Sequence, residues 1–420
     1  MLYNYRQFKQ VATLRLALKK DGRNLEPIDL DVIENGSVVV DDKNVLWVGP
    51  DEQIPDNFKN NAQSLFFQDH ILVPELVDSH THLIFAGDRA NEYAQRLNGV
   101  SYEKIAQMGG GILHTMKKTR ITTKEELKRL ALKRIETISS RGVGTIEIKS
   151  GYGLNFEKEY EISILIDEIK KECLTHKIPI NIFNTYMAAH AIPSEFDSSS
   201  QYLDKVVIPL MNRLVKENII NAVDIFHEKG YFDNHDVEKL FTNAQNLKLP
   251  VKTHADEFND NSGAELACKY HALSADHLLK TSPSGCEILA KSTTVATLLP
   301  GTGLFLGKPA ANARTLLDAG VKVAIATDFN PGSCHFDNLL FLGSIAAPLY
   351  KLNQAELWCA MTLNASHSLG LKNQGAIEKG MRPRFSFFKA PSIDHLTYHW
   401  GENFFDLRTT EEHYQRLANK

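Results

Sequence analysis

Cysteine is scarce in this 420-residue chain. There are five, at positions 173, 268, 286, 334 and 359, irregularly spaced and with no Cys-x-x-Cys. An odd, scattered set excludes a disulfide framework and a structural zinc knot and reads as reduced thiols of the cytoplasm. No apolar run approaches the ~18 residues of a membrane-crossing helix. The opening MLYNYRQFKQ lacks the apolar core of a signal peptide. Charge of one sign is also missing: 47 Lys+Arg against 51 Asp+Glu leave a formal net charge of −4. That balance excludes a nucleic-acid binder relying on a broad basic surface, and 43 % hydrophobic residues exclude disorder. No Gly-x-Gly-x-x-Gly follows the first strand-like segment. The run Gly109-Gly110-Gly111 lacks the Lys-Ser/Thr of a phosphate loop and reads as a flexible turn or lid hinge. The expectation is a folded cytoplasmic protein with a small molecule, and neither nucleic acid nor membrane, as its partner.

The ends of the chain differ from its middle. IENGSVVVDDKNVLWVG alternates and breaks at Asn35-Gly36 and Asp41-Asp42, which predicts a β-meander in the first ~70 residues. GAIEKGMRPRFSFFKA near the other end is Gly/Pro-punctuated and Phe-rich without helical period, so the two ends are expected to meet. Between them, eight apolar runs of strand length recur: ILVPELVDSH, GTIEIKSG, INIFNTYM, AVDIFHE, LPVKTHAD, ALSADHL, TVATLLPG and VKVAIATD. Helical patterns lie between several. The best runs from Thr122 to about Arg141, with Thr122-x-x-Glu125 as a capping box, Leu127, Leu130, Ala131, Ile135 and Ile138 on one face, and Gly142 as the stop. Another ends at Gly320. Eight βα units over roughly 280 residues predict an α/β fold, a (β/α)₈ TIM-like barrel, with a doubly wound sheet as the second choice. The predicted organisation is a catalytic barrel over 73–370 and a small β-sandwich domain built from 1–72 and 371–420.

In such a barrel, chemistry sits at the C-terminal ends of the strands. The first strand ends Asp78-Ser79-His80-Thr81-His82, and i, i+2 spacing sends both imidazoles to one side. Alone, His-x-His is about as compatible with a hydrogen-bonded core histidine beside an exposed one. The fifth strand adds His254 and the eighth Asp328, an acid that by itself would suit a helix cap. Together they make a His₃Asp set from separate segments, all at one end of the barrel, which points to a divalent metal. His190 and His277 fall on the same rim, each as compatible with a hydrogen-bonded role as with catalysis. Glu257 can turn inward only if its strand has ended, which Asn259-Asp260-Asn261-Ser262-Gly263 favours. Arg89, in the long loop of about 83–115, suits a substrate carboxylate, though composition alone favours a surface arginine. Tyr152 could reach the mouth or pack beneath its loop.

The stretches HTHLIFAGDRANEY, GGGI, EIKSGYGL, AAHAIP, THADEF, SADHL, LLPGT and TDFNPGS, spread over residues 80–333, resemble the imidazolonepropionase family of the amidohydrolase superfamily. The chain departs from that pattern at Pro74-Glu75, where Pro-Gly is usual, and at His227, where Cys is. The resemblance implies one Zn²⁺ or Fe ion on His80, His82, His254 and Asp328. It implies Arg89, Tyr152, His190, Glu257, Asn330, Gly332 and Ser333 around the substrate, with Glu257, His277 and Asp328 as catalytic residues. The implied reaction is hydrolysis of 4-imidazolone-5-propanoate to N-formimidoyl-L-glutamate by a metal-activated hydroxide. Glu257 or Asp328 would shuttle the proton, and the implied assembly is a homodimer. A heterocycle deaminase using the same ligands is the nearer alternative. A non-catalytic barrel is the remoter one, because all four ligand positions are filled.

Overall fold

A computed structural model describes residues 2–101, 104–105, 108–175, 178 and 180–409. Residues 410–420, part of the expected small domain, lie outside these. The chain opens with β1 (Tyr3–Ala12), β2 (Val32–Val40), β3 (Val45–Pro50), β4 (Gln63–Phe66) and β5 (His70–Pro74). Then come β6 (Leu76–Asp78), β7 (Val143–Lys149), β8 (Asn181–Ala189), β9 (Ala222–His227), β10 (Thr253–Ala255), β11 (Ser274–His277), β12 (Val295–Leu298) and β13 (Val323–Ile325). β14 (Phe385–Lys389) and β15 (Phe405–Arg408) complete the set.

β6 to β13 lie side by side in chain order, all parallel, each pair joined through a crossover that carries helix. Beyond the ends of β6 and β13 the first and last strands meet. His82 N donates to Phe329 O and Asp328 N to His80 O, both at 2.9 Å. Beneath, the Asp78 carboxylate accepts from Thr327 N (3.0 Å) and Oγ1 (2.6 Å). The barrel is thus closed beside the predicted ligands.

The remaining seven strands form one mixed sheet from both ends of the chain. β1 pairs β4 through Tyr3–Arg6 and β5 through Gln10–Val11, with an irregularity at Gln7, which has φ 59°. Tyr5, Phe8, Val38, Leu72, Phe385 and Phe387 make the apolar core of this sheet.

Three local expectations change. ILVPELVDSH is not one strand: β5 belongs to the end sheet and β6 to the barrel. They part at Glu75, whose carboxylate pairs with Arg384 at 2.8 Å, accepts from Thr145 Oγ1 at 2.8 Å and lies over Gly144, where a Cβ would sit 2.1 Å from it. A side chain at 144 would therefore evict the one at 75. Asn35-Gly36 is not a turn; β2 runs through it, Asn35 taking φ 45° while Gly36 lies against Val11. The helix predicted from Thr122 spans Lys124–Ser139 and is capped by Thr123, whose hydroxyl accepts from Glu126 N. Thr122 Oγ1 instead donates to Lys118 O in the preceding helix. No helix among the described residues is long and apolar enough to cross a membrane.

Candidate metal and substrate site

One cleft of about 500 Å³ opens at the C-terminal ends of the barrel strands. It is lined by His82, Arg89, Tyr152, His190, His254, Glu257, His277, Asp328, Asn330 and Ser333. The structure thus brings nearly every predicted residue to a single cavity. His80 lies fully buried beneath it, and Gly332 supports it from behind. The apolar lining of Ile112, Phe226, Tyr231, Phe258 and Leu306 was not singled out in the sequence, since such side chains read as ordinary core.

Several of these residues sit where a strand stops and the backbone turns sharply. Asp256, His277, Leu278 and Asp328 all have φ between 51° and 78°, a region that L side chains avoid. The turn at Asp256 takes Glu257 out of strand alternation and into the cleft. Asp256 itself accepts from Gly263 N at 2.9 Å and Thr281 Oγ1 at 2.9 Å, which holds that turn.

Two overlapping clusters share His80: His80, His82 and Asp328, and His80, His254 and His277, each with ligand atoms within 4.8 Å of one another. His82 Nε2 and His254 Nε2 are 3.2 Å apart, and Asp328 Oδ1 lies 3.5 Å from His80 Nε2 and 3.7 Å from His82 Nε2. Two nitrogens bound at ~2.0–2.1 Å to a tetrahedral ion are separated by about 3.3 Å. His80 Nε2 is buried and has no hydrogen-bond partner among the described residues. His80 Nδ1 lies 2.7 Å from Asp276 Oδ2, and since an ionised carboxylate only accepts, Nδ1 carries the proton and Nε2 the free lone pair. Burial holds His80, His82 and His277 well below the usual histidine range, which favours the neutral imidazole that, in His80 and His82, a metal would take. Burial pushes Asp328 up to about 6, against the hydrogen bond from Thr302 Oγ1 at 2.5 Å. A cation there would remove that penalty. These residues fit a metal.

Around them, Glu257 is raised well above the carboxylate range by burial and by the nearby Asp328 and Glu228 charges. Its Oε1 is 3.7 Å from His277 Nδ1. His190 stacks on His82 (centroids 4.7 Å, 16° between planes) and is pushed down to about 3 by burial and His254. Its Nδ1–H donates to Gly151 O at 3.1 Å, leaving Nε2 as an acceptor. Arg89 is buried, pairs with Glu92 at 2.7 Å and presses against Gly332. Glu92 also accepts from Gly111 N, so the glycine run is tied to Arg89 through one carboxylate. Asn330 uses its amide within its own loop, accepting from Gly332 N and Ser333 N at 2.8 Å and donating to Asp328 O at 2.7 Å.

Comparison with known proteins agrees with this geometry. The model of the amidohydrolase family matches residues 71–410. Imidazolonepropionase of Idiomarina loihiensis is 39 % identical over 89 % of this chain and 90 % of its own length. That of Bdellovibrio bacteriovorus is 38 % identical over 88 % and 86 %. Among solved structures, a triazine hydrolase variant aligns with TM-score 0.72 at 14 % identity, covering 98 % of this chain and 93 % of the other. A zinc-bound adenosine deaminase from Xanthomonas campestris aligns at 0.71 and 16 % identity, covering 97 % and 91 %. These two share the fold. At the level of sequence, the chain belongs to the imidazolonepropionase family of the amidohydrolases.

Proposed function

We propose that the chain opens the ring of 4-imidazolone-5-propanoate to give N-formimidoyl-L-glutamate, the third step of histidine degradation. One observation carries this: a single cleft is lined both by the His/Asp cluster and by a buried guanidinium. A small ring with a propionate tail needs both. A Zn²⁺ or Fe ion on His80, His82, His254 and Asp328 would supply Lewis acidity toward the ring carbonyl and a water acidified toward neutrality.

The protein's own groups supply the rest. Arg89 takes the propionate in a charge-assisted pair, aided by Tyr152, and so fixes the ring. His190 Nε2 accepts from a ring N–H. Glu257 removes a proton from the attacking water at its carboxylate and delivers it to the ring nitrogen as the C–N bond breaks, with Asp328 its rival. His277 donates to the oxygen that gains negative charge. Ser333 and Asn330 close the loop behind Asp328.

A neutral nucleobase would leave Arg89 without an anion, which disfavours a deaminase. The reading also takes residues 1–72 with 371–420 as a domain separate from the 73–370 barrel, the enzyme as a cytoplasmic homodimer, and its metal as one ion per subunit. The test is to incubate metal-replete protein with fresh imidazolone propionate, with and without chelator, and follow N-formimidoylglutamate by mass spectrometry. Product that disappears with the chelator supports the reaction. A folded, metal-loaded protein giving none moves a deaminase to first place.

A further inference from the structure

Beneath the cleft, one layer of the barrel interior carries charged side chains beside the apolar ones usual there, such as Val77, Phe183 and Val295. Glu147 and Lys149 on β7, Asp224 on β9, Lys252 just before β10 and Asp276 on β11 are all fully buried. Lys149 Nζ lies 2.8 Å from Glu147, 2.6 Å from Asp224 and 3.8 Å from Asp276. Lys252 Nζ lies 2.9 Å from Glu147 and 3.8 Å from Asp276, and donates to Ser79 O at 3.0 Å. Three carboxylates thus face two ammonium groups, and one negative charge is left to be met from the histidine side. Burying five charges is a poor way to stabilise a barrel, since well-packed apolar residues of similar volume do as well or better.

The layer ends on the ligand histidines. Asp276 Oδ2 is 2.7 Å from His80 Nδ1, and Asp224 Oδ2 is 3.2 Å from His254 Nδ1. We propose that Asp276 and Asp224 are positioning residues for His80 and His254, themselves held by Lys149 and Lys252. On this view these two carboxylates set how tightly the site binds its metal. Each carboxylate keeps the proton of its imidazole on Nδ1 and the ring turned so that Nε2 faces the ion, a carboxylate–histidine–metal arrangement. Glu147 bonds both lysines and Thr185 Oγ1 but, among the described residues, has no ion-pair contact with a histidine like those of Asp276 and Asp224, which makes it an internal control.

The inference rests on the metal reading above, and the experiment separates their failures. Wild type, Asp276→Asn, Asp224→Asn and Glu147→Gln are compared for Zn²⁺ affinity against a chromophoric chelator. The visible spectrum of the Co²⁺ forms and the melting of the metal-free forms complete the comparison. The expected result is a loss of about 10–100-fold in affinity with a shifted Co²⁺ band for the two Asn variants. Glu147→Gln should melt lower yet keep near-wild-type affinity and band. Asn variants that bind like wild type, or a Glu147→Gln loss equal to theirs, would overturn the proposal. If Asp276→Asn does not fold, Asp224→Asn against Glu147→Gln decides it. A folded wild type that takes up neither metal would instead overturn the metal reading itself.

Discussion

Arg89 and Gly332 occupy the same small space: a Cβ built at 332 would lie 1.7 Å from Arg89 Nη1 and 2.1 Å from its Cζ. The guanidinium is held on one side by Glu92 and on the other by a backbone that has no side chain to push it away. Gly332→Ala should therefore act on Arg89. A lost charge-assisted pair is worth ~1.5–3 kcal/mol. KM should rise about 10–100-fold with kcat and metal content little changed, and Arg89→Met should do the same. Steady-state kinetics on the imidazolone substrate check this, and an Arg89→Met enzyme with unaltered KM would mean that no carboxylate is bound there.

Glu257→Gln keeps the shape of the side chain and removes its ability to carry a proton. Because Glu257 is in none of the clusters that could hold an ion among the described residues, the metal should remain. Loss of a general acid–base group should lower kcat by roughly 10²–10⁴-fold. Metal analysis beside single-turnover rates tests this. Turnover near wild type would transfer the proton shuttle to Asp328.

The convergence of His80, His82, His254 and Asp328 at one end of the barrel was the most legible part of the sequence. His80 and His82 follow from period two in a strand, and His254 and Asp328 from the rule that barrel chemistry sits at strand ends. Pairings between distant segments were not legible. Glu75 over Gly144, or Arg89 against Gly332, depends on which backbones approach, and nothing local records that. Lys149, Asp224, Lys252 and Asp276 were read past for another reason: charged residues in a strand look like a solvated face until the barrel closes around them. The cap at Thr123 was missed by one residue because Thr122 and Thr123 are chemically equal candidates. Which one caps depends on where the preceding helix ends.

His367, outside the cleft and most of the way buried, is pushed down to about 4 by its burial and by Lys322, and its Nδ1 has no hydrogen-bond partner among the described residues. An unfolded histidine titrates near ~6.5. The folded pKa is depressed, so the unfolded chain binds more protons below pH ~6.5, and the stability present above that pH is lost as pH falls toward 4. The slope from this one group approaches about 1.4 kcal/mol per pH unit. His367→Gln should melt lower than wild type at pH 7.5, with the gap narrowing steadily from pH 6.5 to 4.5. Parallel melting temperatures across that range would mean that His367 protonates freely in the folded protein.

Removing the metal should cost stability as well as activity. His82 Nε2 and His254 Nε2 face each other at 3.2 Å, and Asp328 is buried beside them, a grouping that repels itself or strands a charge unless a cation sits among its lone pairs. An ion held by the folded chain alone stabilises it by about 4 kcal/mol at 1,000 times its Kd. Stripping with chelator should lower the melting temperature by several degrees, and stoichiometric Zn²⁺ should restore it. Increasing the free Zn²⁺ should raise it further. A variant with Asp328→Asn should show a smaller shift between its stripped and loaded forms, because it offers one weaker ligand. A melting temperature indifferent to chelator in wild type would mean that the cluster holds no ion tightly, whatever its geometry.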